Sequence, residues 1–259
     1  MMAQTKYKLT FLGTGSAFTI GSENYHSNLL LENSEGDRLL IDCGSDVRHS
    51  LHHLDLGYQD IHEVYVSHLH ADHIGGLEWL GLRRFFDPAC HSPTLYISPE
   101  LKHDLWEHSL AGGMRTLEGR KADLETFFNV VLADSANQFN WHGVVFTLIQ
   151  TVHIFNGDHL APCFGLWFAL GDKRIFFTAD TQYTFEKFAE YYKTADCIFH
   201  DCETSSDKSG VHARYEDLVK LPIEIKKKMW LYHYNPGVLP DAKKDGFAGF
   251  VECQQVFCF

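Results

Sequence analysis

Residues 64–82, VYVSHLHADHIGGLEWLGL, carry four side chains that can bind a metal within six positions. They are His68, His70, Asp72 and His73, and they lie between an apolar strand-like run and a helix-like run. Residues two apart in an extended segment point the same way, so His68 and His70 can share one ion. Asp72 and His73 follow where the chain turns towards a helix, so they can face a neighbouring site. Imidazole and carboxylate suit Zn²⁺ and similar divalent ions.

The surrounding elements must bring these side chains together. Apolar periodicity predicts helices at 46–56, 74–86, from Pro99 and at 184–193. The same patterns predict strands at 7–13, 28–32, 38–43, 64–67, 94–98, 144–152, 164–170, 173–178 and 197–199.

The two halves of the chain are faintly similar. RLLID at 38–42 is similar to RIFF at 174–177 running into Asp180, and each is followed by a helix and by a strand that ends in histidine. This pattern predicts an α/β protein of four layers, in which two β-rich halves pack face to face with helices outside. No Pro/Ser-rich linker interrupts the sequence, so residues 1–259 are predicted to form a single domain.

Composition narrows the possible partners. The net charge of −12 disfavours the binding of polyanions. Seven cysteines without a Cys-x-x-Cys pair indicate reduced thiols in a cytoplasmic protein. The start of the sequence has no secretory pattern, and no apolar run approaches the ~20 residues of a membrane-spanning helix. We therefore expect a cytoplasmic protein without a membrane partner.

The run HLHADH at 68–73 spells the signature of the metallo-β-lactamase-fold hydrolases, and the sequence resembles that superfamily over essentially its whole length. Three further ligand-type residues follow predicted strands in the order that the family uses. They are His153 in TVHIF, Asp180 in FFTADT and His233 in WLYHY. The resemblance implies two mixed β-sheets in an αββα sandwich.

The resemblance also implies a site for two divalent metal ions. His68, His70 and His153 would hold one ion; Asp72, His73 and His233 would hold the other; Asp180 and a water or hydroxide would bridge them. Two such ions ~3.5–4 Å apart lower the pKa of the shared water and neutralise charge on a phosphoryl or carbonyl oxygen. Asp72 or Asp180 can then orient the water and accept a proton. Zn²⁺ is the expected metal and Mn²⁺ the alternative, while some relatives use iron for redox chemistry.

The start FLGTGSA at 11–17 resembles the ribonuclease Z branch, which trims tRNA 3′ ends, and the small phosphodiesterases related to it. It also predicts a tight turn after the first strand. His26 lies just beyond, where its loop should approach the metals. It is either a substrate contact or a surface histidine.

Two further histidines match positions near the metals of that branch: His200 in HDCET and His212 in GVHARYEDL. Such residues can protonate a leaving alkoxide. We favour His212 as the general acid, with His200 and Asp201 positioning it. Together with Asp72, these two histidines form the predicted catalytic set. The alternative is that either histidine caps a helix or makes a hydrogen bond in the core.

The sequence departs from ribonuclease Z between His153 and Asp180, where that enzyme inserts its tRNA-binding arm. Only 27 positions separate the two residues here, which leaves no room for an arm. Together with the acidic charge, this disfavours a folded nucleic acid. We therefore predict a dinuclear-metal phosphodiesterase for small-molecule phosphodiesters, with a 3′,5′-cyclic nucleotide as the leading substrate. Armless relatives of ribonuclease Z include such enzymes, some of which destroy cyclic-nucleotide defence signals.

Several alternatives remain open at this level. The chain can instead be a tRNA 3′-processing endonuclease, a β-lactam or thioester hydrolase of the same fold, or a non-enzymatic metal-binding scaffold. Tyr25, Phe155 and Tyr234 can stack on a base or pack in the core. The aromatic segment 247–259 can form a homodimer interface or pack within its own chain.

Overall fold

The computed structural model describes residues 6–21 and 23–259. Its strands are β1 Tyr7–Phe11, β2 Leu29–Asn33, β3 Arg38–Ile41, β4 Glu63–Val66, β5 Thr94–Ile97, β6 Thr116–Leu117, β7 Arg120–Lys121, β8 Asn129–Leu132, β9 Gln138–Trp141, β10 Val144–Gln150, β11 Phe155–Asn156, β12 His159–Leu160, β13 Phe164–Leu170, β14 Lys173–Phe177, β15 Cys197–Asp201, β16 Met229–Tyr232, β17 Gly249–Phe250 and β18 Val256–Cys258.

The helices are short and lie between the strands. They are α1 Val47–His52, α2 Ala71–Ile74, α3 Leu77–Phe85, α4 Pro99–Asp104, α5 Ala111–Met114, α6 Leu124–Phe127, α7 Phe185–Thr194, α8 Tyr215–Leu218 and α9 Ile223–Lys226. A 3₁₀ turn spans Tyr58–Asp60, and a π-helical turn at Leu105–Leu110 joins α4 to α5. No helix among the described residues has the length and apolarity needed to span a membrane.

Within the described ranges the strands form two large sheets on one plan. The first has the order β18-β1-β2-β3-β4-β5-β8, and the second has the order β17-β16-β15-β14-β13-β10-β9. In each sheet an antiparallel set leads into a parallel set, at β3–β4 in the first and β14–β15 in the second. This arrangement confirms the predicted pair of mixed sheets.

Apolar side chains decide which faces meet. Phe11, Phe199 and Tyr232 are fully buried, and their rings pack across the two sheets with centroids 5.0 and 5.6 Å apart. Fully burying one such side chain contributes on the order of 1.5–3 kcal/mol. On the outer face of the second sheet, α7 buries Phe188 and Tyr192. The predicted αββα layering follows from these two burials.

The C-terminal segment completes both sheets within its own chain. β17 pairs with β16, and β18 pairs with β1. The ring of Phe257 lies against Phe11, Phe199 and Trp230, with centroids 4.8–6.0 Å apart. These contacts agree with the packing interpretation of residues 247–259.

Candidate metal centre

The loop after β4 places the histidine-rich motif at the carboxyl end of the parallel strands. β4 ends at Val66, and α2 begins at Ala71 with His70 as its extended N-cap residue. Close backbone approach fixes the turn, because a Cβ added at Gly44 would lie 2.1 Å from the Asp72 carbonyl oxygen. Gly76 is equally confined by the Gly44 carbonyl oxygen, at 2.5 Å. Glycine is therefore required where these two loops cross.

The first ligand group consists of His68, His70, His153 and Asp180, with one ligand atom from each within 4.8 Å of the others. His70 Nδ1 lies 3.0 Å from His68 Nε2 and 3.2 Å from His153 Nε2. The Oδ2 atom of Asp180 lies 3.7 Å from Nε2 of both His68 and His153. Three ring nitrogens and one carboxylate oxygen therefore converge on one point.

The second ligand group consists of Asp72, His73, Asp180 and His233, all of them buried. Asp72 Oδ2 lies 3.2 Å from His73 Nε2 and 3.3 Å from His233 Nε2. Asp180 Oδ1 lies 3.4 Å from His73 Nε2, while its Oδ2 lies 3.6 Å from His233 Nε2. Asp180 thus belongs to both groups, which is the partition that the sequence analysis predicts.

Hydrogen bonds with neighbouring groups decide which ring nitrogen of a histidine faces the centre. His153 Nδ1 donates to the Val211 carbonyl oxygen at 2.9 Å, and His73 Nδ1 donates to Asp42 at 2.7 Å. The Nε2 atom of each ring is therefore the one that faces the centre and can bind a metal ion. His73 Nε2 and Asp180 Oδ1 are buried and have no hydrogen-bond partner. Buried polar atoms without a partner are costly, and a divalent metal ion would satisfy both atoms, so the residues fit such ions.

The backbone is strained at the same place. Asp42, Ala179 and His233 have φ angles of 63°, 49° and 61°, in the left-handed region that non-glycine residues rarely adopt. All three adjoin or belong to the ligand groups. Strain of this kind persists only where surrounding contacts hold it, and it is enriched at functional sites.

Buried opposite charges dominate the electrostatics. Burial alone would raise the pKa of Asp180, but His233 and His73 hold the pKa of that carboxyl well below its usual range. Burial opposes protonation of His73 and His233, yet the carboxylates of Asp72 and Asp180 raise the pKa of each imidazole well above its ordinary value. The carboxylates are therefore ionised and require nearby positive charge.

His212 lies beside the ligand groups and is held by Asp201. Its Nδ1 donates to Asp201 Oδ2 at 2.7 Å, and its ring lies 5.0 Å from His153 and 4.8 Å from His233 between centroids. Burial lowers the pKa of His212, but the Asp201 carboxylate outweighs it and raises that pKa above the ordinary imidazole value. The side chain remains 18% exposed, so its other nitrogen can reach a ligand.

His200 does not reach the centre, and its catalytic assignment is not supported by the geometry. It lies within β15, fully buried, with Nδ1 donating to the Asp201 carbonyl oxygen and Nε2 accepting from the Tyr192 hydroxyl, both at 2.6 Å. Side chains alternate along a strand, so His200 and Ile198 both face α7, while Phe199 between them faces the other sheet. Hydrogen bonding in the core, the alternative considered for this residue, describes it.

The N-terminal glycine motif supports the second ligand group. The Gly15 N–H donates to the Tyr25 carbonyl oxygen, and the Ser16 N–H donates to the Tyr234 carbonyl oxygen next to His233. His26 is buried, 3.3 Å from Asp46, so it is neither a surface histidine nor placed within the ligand groups.

Of the three aromatic residues considered for base stacking, one is free to do so. Tyr25 is buried and bonded to His53, and the Tyr234 hydroxyl donates to the Val251 carbonyl oxygen. Phe155 is 54% exposed on the β11–β12 hairpin.

Two cavities adjoin the ligand groups. One, of about 230 Å³, has an apolar wall and is lined by His68, Leu69, His70, Leu101, Asp104, His153, Ile154, Ala161, Pro162 and Cys163. The other, of about 130 Å³, is lined by Ser16, Ala17, Phe18, Glu203, Ser209, Val211, His212, His233 and Asn235. A substrate bound over the centre would therefore meet an apolar wall on one side and polar groups on the other.

Asp42 has a supporting role that was not predicted from the sequence. This carboxylate is fully buried and accepts hydrogen bonds from the Ser67 backbone N–H and hydroxyl and from His73. The signal was a carboxylate directly after a strand, RLLID, but its partners lie 25 and 31 positions away.

Comparisons with known proteins agree with this geometry. A family model described as anti-Pycsar protein Apyc1 matches residues 7–257. The chain belongs to the Apyc1 family. An Apyc1 protein of Paenibacillus harenae is 34% identical over 253 residues, covering 95% of this chain and 98% of the relative.

Solved structures show the same fold as this Apyc1 family member. The metallo-β-lactamase fold protein YhfI of Bacillus subtilis has a TM-score of 0.73 at 20% identity, covering 97% of this chain and 99% of that one. Human tRNase Z, short form, has a TM-score of 0.67 at 18% identity, covering 96% and 98%. The resemblance to the metallo-β-lactamase fold is confirmed. Fold and ligand groups together support a metal-dependent hydrolase.

Proposed function

We propose that this protein is a phosphodiesterase that uses two divalent metal ions to hydrolyse small phosphodiesters, with 3′,5′-cyclic nucleotides as the leading substrates. The observation that carries the proposal is the His212–Asp201 pair beside the two ligand groups. Opening a phosphodiester releases an alkoxide, which needs a proton, and His212 would donate it.

The metal assignment follows the two groups. His68, His70 and His153 would hold one ion; Asp72, His73 and His233 would hold the other; Asp180 would contact both. We propose zinc, with manganese as the alternative, because imidazole and carboxylate ligands suit both. When bound, two such ions activate water and neutralise charge on the phosphoryl oxygens.

The protein's own groups would perform the proton transfers. Asp72 would orient the attacking water and accept its proton. His212 keeps its Nδ1 proton on Asp201 and would donate the Nε2 proton to the leaving alkoxide. Asp201 is itself fixed by the Thr181 N–H at 2.8 Å, so the direction of the His212 ring is set before substrate binds.

The substrate proposal rests on size and charge. Residues between His153 and Asp180 form only the β11–β12 hairpin and the strands β13 and β14, which leaves no arm for a tRNA elbow. The net charge of −12 also opposes a polyanion. The exposed ring of Phe155 is available to stack on a single base.

The first experiment is a hydrolysis assay on protein loaded with zinc or manganese, using 3′,5′-cyclic mononucleotides and a 3′-extended tRNA precursor. We expect cyclic-nucleotide hydrolysis that His68→Ala abolishes. Cleavage of the tRNA precursor alone would instead establish a processing nuclease. Turnover of nitrocefin or a glutathione thioester alone would favour the β-lactamase or thioesterase alternative, and metal binding without turnover of any substrate would favour a scaffold.

The role of His212 has its own test. His212→Ala should lower kcat on a cyclic nucleotide by roughly 10²–10⁴-fold, the usual contribution of a general acid. The loss should be much smaller on bis(4-nitrophenyl) phosphate, because nitrophenolate leaves without a proton. Equal losses on both substrates, with metal content unchanged, would show that His212 positions substrate instead of protonating it.

A further inference from the structure

The helical run 99–114 contains an irregular turn that brings two exposed histidines together. α4 continues through the π-helical turn Leu105–Leu110 into α5. In an α-helix, residues five apart are separated by about 140° around the axis. The i→i+5 bonding of a π turn places such residues close to one face. His103 and His108 are five apart, and their ring centroids lie 5.8 Å apart.

A carboxylate completes this cluster. Asp104 Oδ1 lies 3.7 Å from His108 Nε2, and one ligand atom from each of His103, Asp104 and His108 lies within 4.8 Å of the others. Tetrahedral zinc with bonds of 2.0–2.1 Å separates its ligand atoms by about 3.4 Å. The side chains of Asp104 and His108 are 57% and 70% exposed, so they can close the remaining distance by rotation.

We infer that His103, Asp104 and His108 form a surface site for a divalent transition metal ion, separate from the two ligand groups. Two imidazoles and one carboxylate favour zinc, copper, nickel or cobalt over magnesium and calcium. Water completes the coordination, since all three residues are exposed.

Neighbouring charges leave the cluster free to bind a cation. Lys102 is paired with Glu125 at 2.6 Å, and Glu107 is paired with Arg115. These charged neighbours in the sequence are thus paired with other residues. Asp104 and Leu101 also line the 230 Å³ cavity beside His68, so the bound ion would restrict the motion of one wall of that cavity.

The test uses full-length protein loaded with zinc and freed of excess metal by gel filtration, then titrated with Ni²⁺ by calorimetry while retained zinc is measured. We expect one additional Ni²⁺ per chain. His103→Ala and His108→Ala should each weaken this step by roughly 10-fold or more, because each removes a ligand. His91→Ala, a matched change at an exposed histidine elsewhere, should leave the affinity unchanged.

Hydrogen exchange supplies a second readout. Amides within residues 99–114 should exchange more slowly when Ni²⁺ is bound, and His108→Ala should remove this protection. An unchanged Ni²⁺ affinity in both ligand variants would overturn the site, as would an equal loss in His91→Ala. The result is independent of the proposed phosphodiesterase activity, because no step of the test requires turnover.

Discussion

The parallel pairs β3–β4 and β14–β15 share one backbone design but carry different chemistry. In the first pair, the Asp42 N–H donates to the Tyr65 carbonyl oxygen at 2.9 Å, and the Asp42 carboxylate accepts from the Ser67 N–H at 2.8 Å. A residue just past one strand therefore caps the end of the next.

The second pair repeats these contacts with a hydroxyl. The Thr178 N–H donates to the Phe199 carbonyl oxygen at 3.0 Å, and the Thr178 hydroxyl accepts from the Asp201 N–H at 3.0 Å. In this half the carboxylate is that of Asp201, whose N–H donates to the threonine hydroxyl. The Asp201 carboxylate contacts His212 and His233. The scaffold is shared, and the position of the carboxylate decides which histidine is supported.

The same register explains why the two strand-end histidines differ. Phe199 occupies the place of Tyr65, so His200 corresponds to Val66 and not to His68. His68 lies beyond the end of β4, where its side chain can turn inwards. When the two strand pairs are aligned on these contacts, the histidines that end VYVSH and CIFH are two positions apart, so they are not structurally equivalent.

The largest effect is expected from breaking the carboxylate cap of the first half. Asp42→Asn removes the charge that holds the Nδ1 proton of His73, so metal affinity should fall by roughly 10–100-fold. Thr178→Val, the equivalent change in the second half, removes the hydrogen bonds of the hydroxyl with the Asp201 N–H and the Ala179 carbonyl oxygen. It should cost about 1–3 kcal/mol of folding free energy with little change in affinity. Zinc competition against a chromophoric chelator and urea unfolding measure the two quantities. Equal zinc affinities in the two variants would contradict the distinction.

An intermediate effect is expected at His200, and it should fall on stability alone. His200→Phe leaves the Tyr192 hydroxyl buried without its acceptor, which should cost about 1–3 kcal/mol. Catalysis should change little, since the ring does not reach the centre. Urea unfolding and kcat/KM measure both. Tyr192→Phe is the matched control, and the pair forms a double-mutant cycle. A large loss of kcat/KM at unchanged stability would restore His200 to the catalytic set.

The smallest effects are expected at the matching arginines near the start of β3 and β14. Arg38 pairs with Glu32 and Asp60, and Arg174 pairs with Asp196. These pairs are partly exposed, so Arg38→Gln and Arg174→Gln should each cost about 1 kcal/mol or less, and salt should reduce the difference. Thermal unfolding at low and high ionic strength measures this. A cost that is large and insensitive to salt would contradict a screened surface pair.

The Arg174 pair also has a pH signature. Its hydrogen bonds lower the pKa of Asp196 to about 2. A carboxyl whose pKa is lower in the folded state stabilises the protein above its unfolded pKa of ~4, and that stability is lost as pH falls towards 2. NMR titration of Asp196 should show the lowered pKa in wild type and a return towards ~4 in Arg174→Gln.

Much of the architecture was predictable because each element carries its own pattern. The strand at 164–170 was predicted with its observed bounds, and α7 lies within one residue of the predicted 184–193. The strands β6, β7, β8, β9, β11, β12, β17 and β18 were missed. Their pairing depends on partners far along the chain, as when β18 pairs with β1. Local periodicity carries no information about such partners.

The same division applies to the site. The histidine-rich motif and the resemblance to the metallo-β-lactamase-fold family pointed to His68, His70, Asp72, His73, His153, Asp180 and His233, and the structure gathers all seven. Whether His200 or His212 lies beside them could not be read from spacing. Alternation within β15 turns one away, while Asp201 holds the other in place.

The sequence by itself determined the ligand types, their order and the two β-rich halves, because side-chain chemistry and hydrophobic period are local properties. Only the tertiary structure decided that Asp42 supports His73. It also decided that a π turn joins His103 to His108. These relations depend on register, on backbone strain and on approach between distant segments, which exist only when the two sheets have packed together.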